Sequence, residues 1–174
     1  MQQYLQNKKG LVENVFDQVY DRYDLMNDFM SLGIHRIWKK NLLNMMNPTQ
    51  NHRLVDVACG TGDIAKLYLK YVNKDSQITC IDPNKGMIKK GKVKLNKFKN
   101  LNWVIAPAEK LPFEDNSHDV IVLSHGLEYT HNPYLLMREI DRIATDNATI
   151  VLIGFNKFSL WSLIKVISSK PPII

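Results

Sequence analysis

The chain has 174 residues, with 45% hydrophobic and 23% charged side chains and a formal net charge of +6. That composition is ordinary for a globular protein and the length predicts a single domain, which excludes disordered and fibrous organisations. No apolar run reaches the ~18 residues of a membrane span, and residues 1–10 lack the apolar stretch of a signal peptide, so a cytoplasmic location is expected. Only Cys59 and Cys80 are present and no His/Cys spacing suits a metal, so neither a disulfide framework nor a metal site is expected.

Residues 12–20 and 36–46 read as helices ahead of the first strand, and Pro48 stops the second of them. Strands are predicted at 54–57, 77–81, 101–105, 119–123 and 149–155, with helical patterns at 63–71, 86–98 and 134–144 between them. Alternation of this kind predicts an α/β fold, a Rossmann-like parallel sheet with helices on both faces. The chain divides into a helical N-terminal segment (1–50), a core (51–155) and an apolar tail (156–174). Ligands of such sheets bind at the carboxyl ends of the strands. Gly60, Asp82, Ala108 and Ser124 all fall at predicted strand ends.

The run Leu54-Val55-Asp56-Val57-Ala58-Cys59-Gly60-Thr61-Gly62-Asp63 joins a short apolar strand to a glycine-bracketed turn and then to a helix. Glycines there remove the Cβ atoms that would keep a ligand from the backbone N–H groups. The third glycine of a dinucleotide fingerprint is absent, since position 65 is alanine. Asp56 brings a carboxylate towards the turn, which suits a ligand with a cationic end such as S-adenosylmethionine, with its ammonium and sulfonium groups. Asp82 follows Gly60 by about 20 residues, the spacing of a ribose-binding carboxylate at the end of a second strand. The alternative is that Asp82-Pro83-Asn84 forms only a turn and helix cap.

Lys85, Lys89, Lys90, Lys92, Lys94, Lys97 and Lys99 concentrate positive charge on one predicted helix and its exit. Such a cluster could attract nucleic acid or an anionic membrane surface. The reading favoured here is a solvated helix face, and no arginine cluster or interleaved aromatic sharpens the nucleic-acid case. The tail, with Phe158, Leu160, Trp161, Leu163, Ile164, Val166 and Ile167, reads as a short apolar helix. It suits either an apolar face of the domain or peripheral contact with a membrane.

The run from Tyr23 to Lys39, Tyr-Asp-Leu-Met-Asn-Asp-Phe-Met-Ser-Leu-Gly-Ile-His-Arg-Ile-Trp-Lys, closely resembles the N-terminal signature of the ubiquinone/menaquinone biosynthesis C-methyltransferase family. The runs Asp56–Asp63 and Ala108-Glu109-Lys110-Leu111-Pro112-Phe113 fit it too, so the resemblance covers roughly residues 12 to 123. It implies the class I methyltransferase fold, S-adenosyl-L-methionine as cofactor and a polyprenylated benzoquinol or naphthoquinol as acceptor. It carries cofactor contacts to Thr61, Asp82, Ala108 and Ser124. Asp56, Gly60 and Gly62 join them from the glycine turn. On the acceptor side Tyr23 is the catalytic candidate, with Asn27, His35, His125 and Glu128 as substrate-side residues. No nucleic-acid partner is expected.

The resemblance weakens after the fourth strand. The family pattern there is Phe-Gly-(Leu/Ile)-Arg-Asn, whereas this chain has His125-Gly126-Leu127-Glu128-Tyr129. Glu128 reverses the charge of an arginine that the family pattern places near the acceptor, and a carboxylate there would oppose formation of a phenolate. Pro107 stands where a polar residue usually holds adenine, and Thr145-Asp146-Asn147 replaces a Pro-Gly-Gly turn. The two strands that usually complete a class I sheet are not expected after residue 155. Asn132-Pro133-Tyr134 partly resembles the Asn-Pro-Pro-Tyr box of amine methyltransferases but comes several residues late, so Asn132 reads as a helix cap and Pro133 as its first turn. Three readings stay open: a quinone-pathway C-methyltransferase, a class I methyltransferase for another small molecule, and a non-catalytic cofactor-binding protein.

Overall fold

The computed structural model describes residues 34–49, 51–73 and 75–154, with side chains in the first helix described from Lys40 onward. The elements are α1 (Ile34–Met46), β1 (Leu54–Val57), α2 (Asp63–Tyr68), β2 (Ile78–Ile81), α3 (Lys85–Lys94), β3 (Leu101–Val104), β4 (His118–Ser124), α4 (Pro133–Ile143) and β5 (Ala144–Ile153). The strands form one sheet in the order β3-β2-β1-β4-β5, and all four pairings are parallel.

Side-chain alternation along β1 sorts the core into two layers. Leu54 faces Ile78, Cys80, Val120 and Val122, and this layer is closed by Leu42, Leu43 and Met46 of α1 and by Ile64, Ala65 and Tyr68 of α2. Val55 and Val57 face the other way, with Ile81, Ile121 and Leu123, under Leu136, Ile140 and Ile143 of α4. The i, i+4, i+7 spacing of those three α4 residues is what lets one helix cover that face. Every residue of β1 and β2 is buried, as strands covered on both faces must be.

The chain runs outward from β1 through β2 to β3 and returns to the far side of β1 as β4. That reversal opens a crevice at the carboxyl ends of β1 and β4, where such sheets bind ligands. The predicted helices were too long at their ends: α2 stops at Tyr68 and α3 at Lys94. The fifth strand starts five residues earlier than expected, at Ala144. Its register slips between His118↔Ala144 and Val120↔Thr149, so the extra residues around Thr145-Asp146-Asn147 bulge within the strand instead of forming a turn before it.

Charged groups tie down the amino end of the sheet. Arg53 donates from Nε and Nη2 to both oxygens of Asp119, each at 2.9 Å, which holds the Asp119 carboxyl well below the usual range. Arg142 of α4 donates to Glu139, to Asp115 and to the carbonyls of Leu111 and Phe113, so it fastens the β3–β4 loop to the helix. A 390 Å³ cleft opens at this end, but its Ser117 hydroxyl donates to Glu114 O at 2.6 Å and meets His118 Nδ1 at 2.9 Å, and its Arg53 is held by Asp119.

Candidate active site

The glycine turn is held by backbone bonds and one carboxylate. Cys59 N–H donates to Ile81 O at 3.0 Å and Gly62 N–H to Cys59 O at 2.9 Å. Gly60 N–H donates to Asp82 Oδ2 at 2.8 Å, and Asn84 N–H donates to Asp82 Oδ1 at 2.8 Å. Asp82 is therefore the latch between the loops after β1 and β2. Burial pushes its carboxyl upward, and the two N–H donors partly offset that. The cap reading of this stretch also holds, since Asn84 Oδ1 accepts from Met87 N at 2.9 Å. Each Asp82 oxygen keeps acceptor capacity beyond its one backbone bond, as a ribose diol requires.

The two glycines of the turn differ in what surrounds them. Both have positive φ, +56° at Gly60 and +78° at Gly62. A Cβ at Gly60 would meet no described residue within 4 Å, so among the described residues it would project into open space over the loop. A Cβ at Gly62 would lie 2.8 Å from Trp103 and 3.1 Å from Leu95. Gly62 is thus required by the packing of β3 and α3 behind the turn, while Gly60 faces the space a ligand would fill.

Thr61 is buried, and its Oγ1 accepts from Lys94 Nζ at 3.1 Å; the same ammonium donates to Asp63 Oδ1 at 2.7 Å. The Thr61 side chain is therefore directed at α3. Asp56 is only 1% exposed. Its sheet neighbours are Cys80 and Val122, one residue inside the strand end and in the layer under α2, not at the rim with Gly60. Cys59 and Cys80 are free thiols, and burial together with the Cys80 thiol pushes Cys59 well above its ordinary value.

At the other strand ends, Ala108 is half-buried against the α4-side core. Glu109 receives the Thr130 hydroxyl and His131 N–H (2.9 Å), which joins the loop after β3 to the one after β4. Burial raises the Glu109 carboxyl, but these donors outweigh it and leave it lowered. Ser124 ends β4. His125 follows in the left-handed region at φ +57°, as does Ala58 after β1 at +54°. Two non-glycine residues in that region on adjacent strand ends store strain of about 1–2 kcal/mol each. Gly126, next after His125, packs against the Ala58 side, since a Cβ there would lie 2.4 Å from Leu123 and 2.8 Å from Ala58.

His125 Nδ1 lies 3.9 Å from Glu128 Oε1, and Glu128 packs over Gly154, whose Cβ would come within 2.9 Å of that oxygen. The structure thus brings two substrate-side candidates together, a pairing that sequence reading missed although their i, i+3 spacing offered the signal. Tyr23 and Asn27 lie outside the described residues, as does the side chain of His35. Among the described residues no group of three or more potential ligands is placed to hold a metal, and no helix is long and apolar enough to cross a membrane.

This sheet order, with its glycine turn after β1 and carboxylate after β2, is that of a class I S-adenosylmethionine-dependent methyltransferase. Solved structures agree on the fold. A SAM-dependent methyltransferase from Aquifex aeolicus superposes with TM-score 0.64 at 22% identity, over 77% of this chain and 68% of that one. The PH0226 protein of Pyrococcus horikoshii OT3 gives 0.63 at 20% identity, over 76% and 58%. Residues 2–167 match the ubiE/COQ5 methyltransferase family, and the chain belongs to that family. It is 40% identical over 156 residues to the ubiquinone/menaquinone biosynthesis C-methyltransferase UbiE of Rickettsia massiliae, covering 86% of this chain and 62% of that protein. The UbiE of Serratia proteamaculans is 37% identical over 91% of this chain and 64% of its own length. The chain thus spans less than two thirds of the length of these relatives.

Proposed function

We propose that this chain works as an S-adenosylmethionine-dependent C-methyltransferase on a polyprenylated benzoquinol or naphthoquinol. The observation that carries the reading is the Asp82–Gly60 latch beneath open space at the crevice between β1 and β4. When bound, the cofactor supplies an electrophilic methyl group. Asp82 would accept the ribose hydroxyls, the glycine turn would allow close approach, and Ala108 and Ser124 would line the neighbouring strand ends. Alignment and exclusion of water are what such a site contributes most to an in-line displacement.

A ring carbon becomes nucleophilic when its hydroxyl loses a proton, so the acceptor side needs a proton acceptor. His125, with the Glu128 carboxylate beside its Nδ1, is the described pair that suits this role: the carboxylate stabilises the imidazolium formed as Nε2 takes the proton. Glu128 is then half of a base. That replaces the expectation of a bare negative charge opposing the phenolate. Tyr23, Asn27 and His35 remain candidates for holding the ring. Contact with a membrane, where a polyprenyl acceptor resides, belongs to the same proposal.

Calorimetric titration with S-adenosylmethionine tests the cofactor half, and labelled methyl transfer to a short-chain demethylated quinol tests the acceptor half. Binding and turnover are expected, with His125→Ala losing about 10²-fold in kcat, the low end for a general base. No binding by the wild type would refute the reading. Glu128, in the place of an arginine, favours one second reading, a different small-molecule acceptor. Cofactor binding with turnover only on non-quinol phenols would select it.

A further inference from the structure

The distribution of charge is uneven. Between Asp82 and Glu109 there is no acidic residue, and the segment carries seven lysines, more than the whole net charge of +6. The rest of the chain is therefore slightly acidic. Lys85, Lys89 and Lys92 are exposed and spaced i, i+4, i+7, so they form one outward stripe along α3, away from the buried Met87, Ile88 and Gly91. Lys97 and Lys99 extend the stripe past the helix end, both exposed.

These five ammonium groups form no ion pair with a described residue. Arg53, Lys94 and Arg142 are by contrast paired, with Asp119, with Asp63, and with Asp115 and Glu139. Within the stripe Val93 is 69% exposed, and Ile105, just past β3 at the carboxyl end of the sheet, is 50% exposed. An exposed apolar side chain among lysines that pair with no described residue suits a surface that is anionic on the outside and apolar beneath. Lysine stems can lie along such a boundary while their ammonium groups stay in the headgroup layer. A nucleic-acid surface fits less well, because the stripe has no arginine fork and no stacked aromatic platform.

We propose that the outer face of α3, from Lys85 to Lys99, is the surface by which this chain docks on an anionic lipid bilayer. The purpose of the contact rests on the quinol reading, since a polyprenyl acceptor would be collected from that bilayer. Its existence rests on the lysine stripe alone. The start of α3 follows Asp82 directly, so a bilayer along this face touches the ligand end of the sheet.

The test is co-sedimentation of the 174-residue chain with phosphatidylcholine vesicles, with and without about 30% phosphatidylglycerol, at low and high salt. Each lysine at such a surface adds about fivefold in partitioning. Binding is expected to the anionic vesicles only and to fall steeply with salt. Lys85→Gln/Lys89→Gln/Lys92→Gln should lose about 100-fold, while Lys40→Gln/Arg138→Gln, with charges removed outside the stripe, should lose far less. Circular dichroism confirms that each variant is folded. Equal binding to neutral vesicles, or a triple variant that binds like the wild type, would overturn the proposal and assign any contact to the apolar tail. Tighter salt-sensitive binding to a short RNA duplex than to the vesicles would overturn it in favour of nucleic acid. No cofactor or turnover enters these measurements, so vesicle binding without S-adenosylmethionine binding would fault the catalytic reading alone.

Discussion

The two ends of the sheet are built on opposite plans. At the amino end, charges are spent on each other: Arg53 closes a two-pronged pair with Asp119, and Arg142 ties α4 to the β3–β4 loop. At the carboxyl end, the backbone is strained at Ala58 and His125, a glycine faces open space, and a buried carboxylate is held by only two backbone donors. One end is arranged for stability and the other keeps polar capacity for something not of the chain. Substitutions at the carboxyl end should therefore move ligand binding more than folding, and substitutions at the amino end the reverse.

The sharpest way to break this contrast is Gly60→Val. The β-branched side chain would enter the space over the turn and sit at φ +56°, a conformation costing about 1–2 kcal/mol for an L residue. We expect loss of S-adenosylmethionine binding by at least ~100-fold in calorimetry, with helical content retained. Normal affinity would show that the turn is not the cradle. Asp82→Ala comes next. It removes the proposed ribose acceptor and frees Gly60 N–H, so binding should weaken by roughly 1.5–3 kcal/mol, the scale of hydrogen bonds to a charged group. An unchanged dissociation constant would remove Asp82 from the site.

Strand ends were legible at β2 and β4, where buried apolar runs stop at Asp82 and Ser124. The Asn132 cap with Pro133 in the first turn was legible because capping is local, and Asn132 Oδ1 does accept from Leu135 N at 3.1 Å. Helix ends were overdrawn, since the periodic pattern continues through Lys70 and Tyr71 after the backbone has left the helix. The bulge in β5 depends on pairing with β4 and leaves no local signal. The role of Thr61 was hidden for a similar reason: its partner, Lys94, lies 33 residues away. Asp119 was not singled out at all, because nothing near it in sequence says that Arg53 lies across the sheet edge, 66 residues earlier.

The amino end supplies a pH prediction. Burial, and after it the Arg53 cation, pushes the His118 imidazole down from 6.5 to about 4. Above pH 6.5 the ring is neutral in both folded and unfolded chains and costs nothing. Between about 6.5 and 4 the unfolded chain takes up a proton that the folded chain refuses, so stability falls as pH falls. Below about 4 both states are protonated and this contribution stops changing. The drop should be about 1–3 kcal/mol. It should vanish in His118→Gln, measured by urea unfolding across that range, and cofactor affinity should be nearly unaffected. A wild-type stability curve flat between pH 6.5 and 4 would contradict the burial argument.

The smallest expected effect probes the seam between the two plans. Lys94 is only 20% exposed, donates to Thr61 and Asp63, and packs the end of α3 behind the glycine turn, next to the Gly91 and Trp103 contact. Both its acceptors belong to the turn and the start of α2, so it acts by holding the turn. Lys94→Met keeps most of the aliphatic stem and loses the ammonium, leaving Asp63 without that partner. We expect cofactor affinity to fall by about fivefold, near 1 kcal/mol, the worth of one typical hydrogen bond. Lys94→Arg, which can still span the two acceptors, should recover part of it. Thr61→Val alone should cost less, and in the double variant the two losses should not add, because both remove the same contact. Additive losses would mean that Thr61 meets the ligand independently of Lys94. A Lys94→Met variant with unchanged affinity but reduced melting temperature would place Lys94 with the stabilising groups of the amino end.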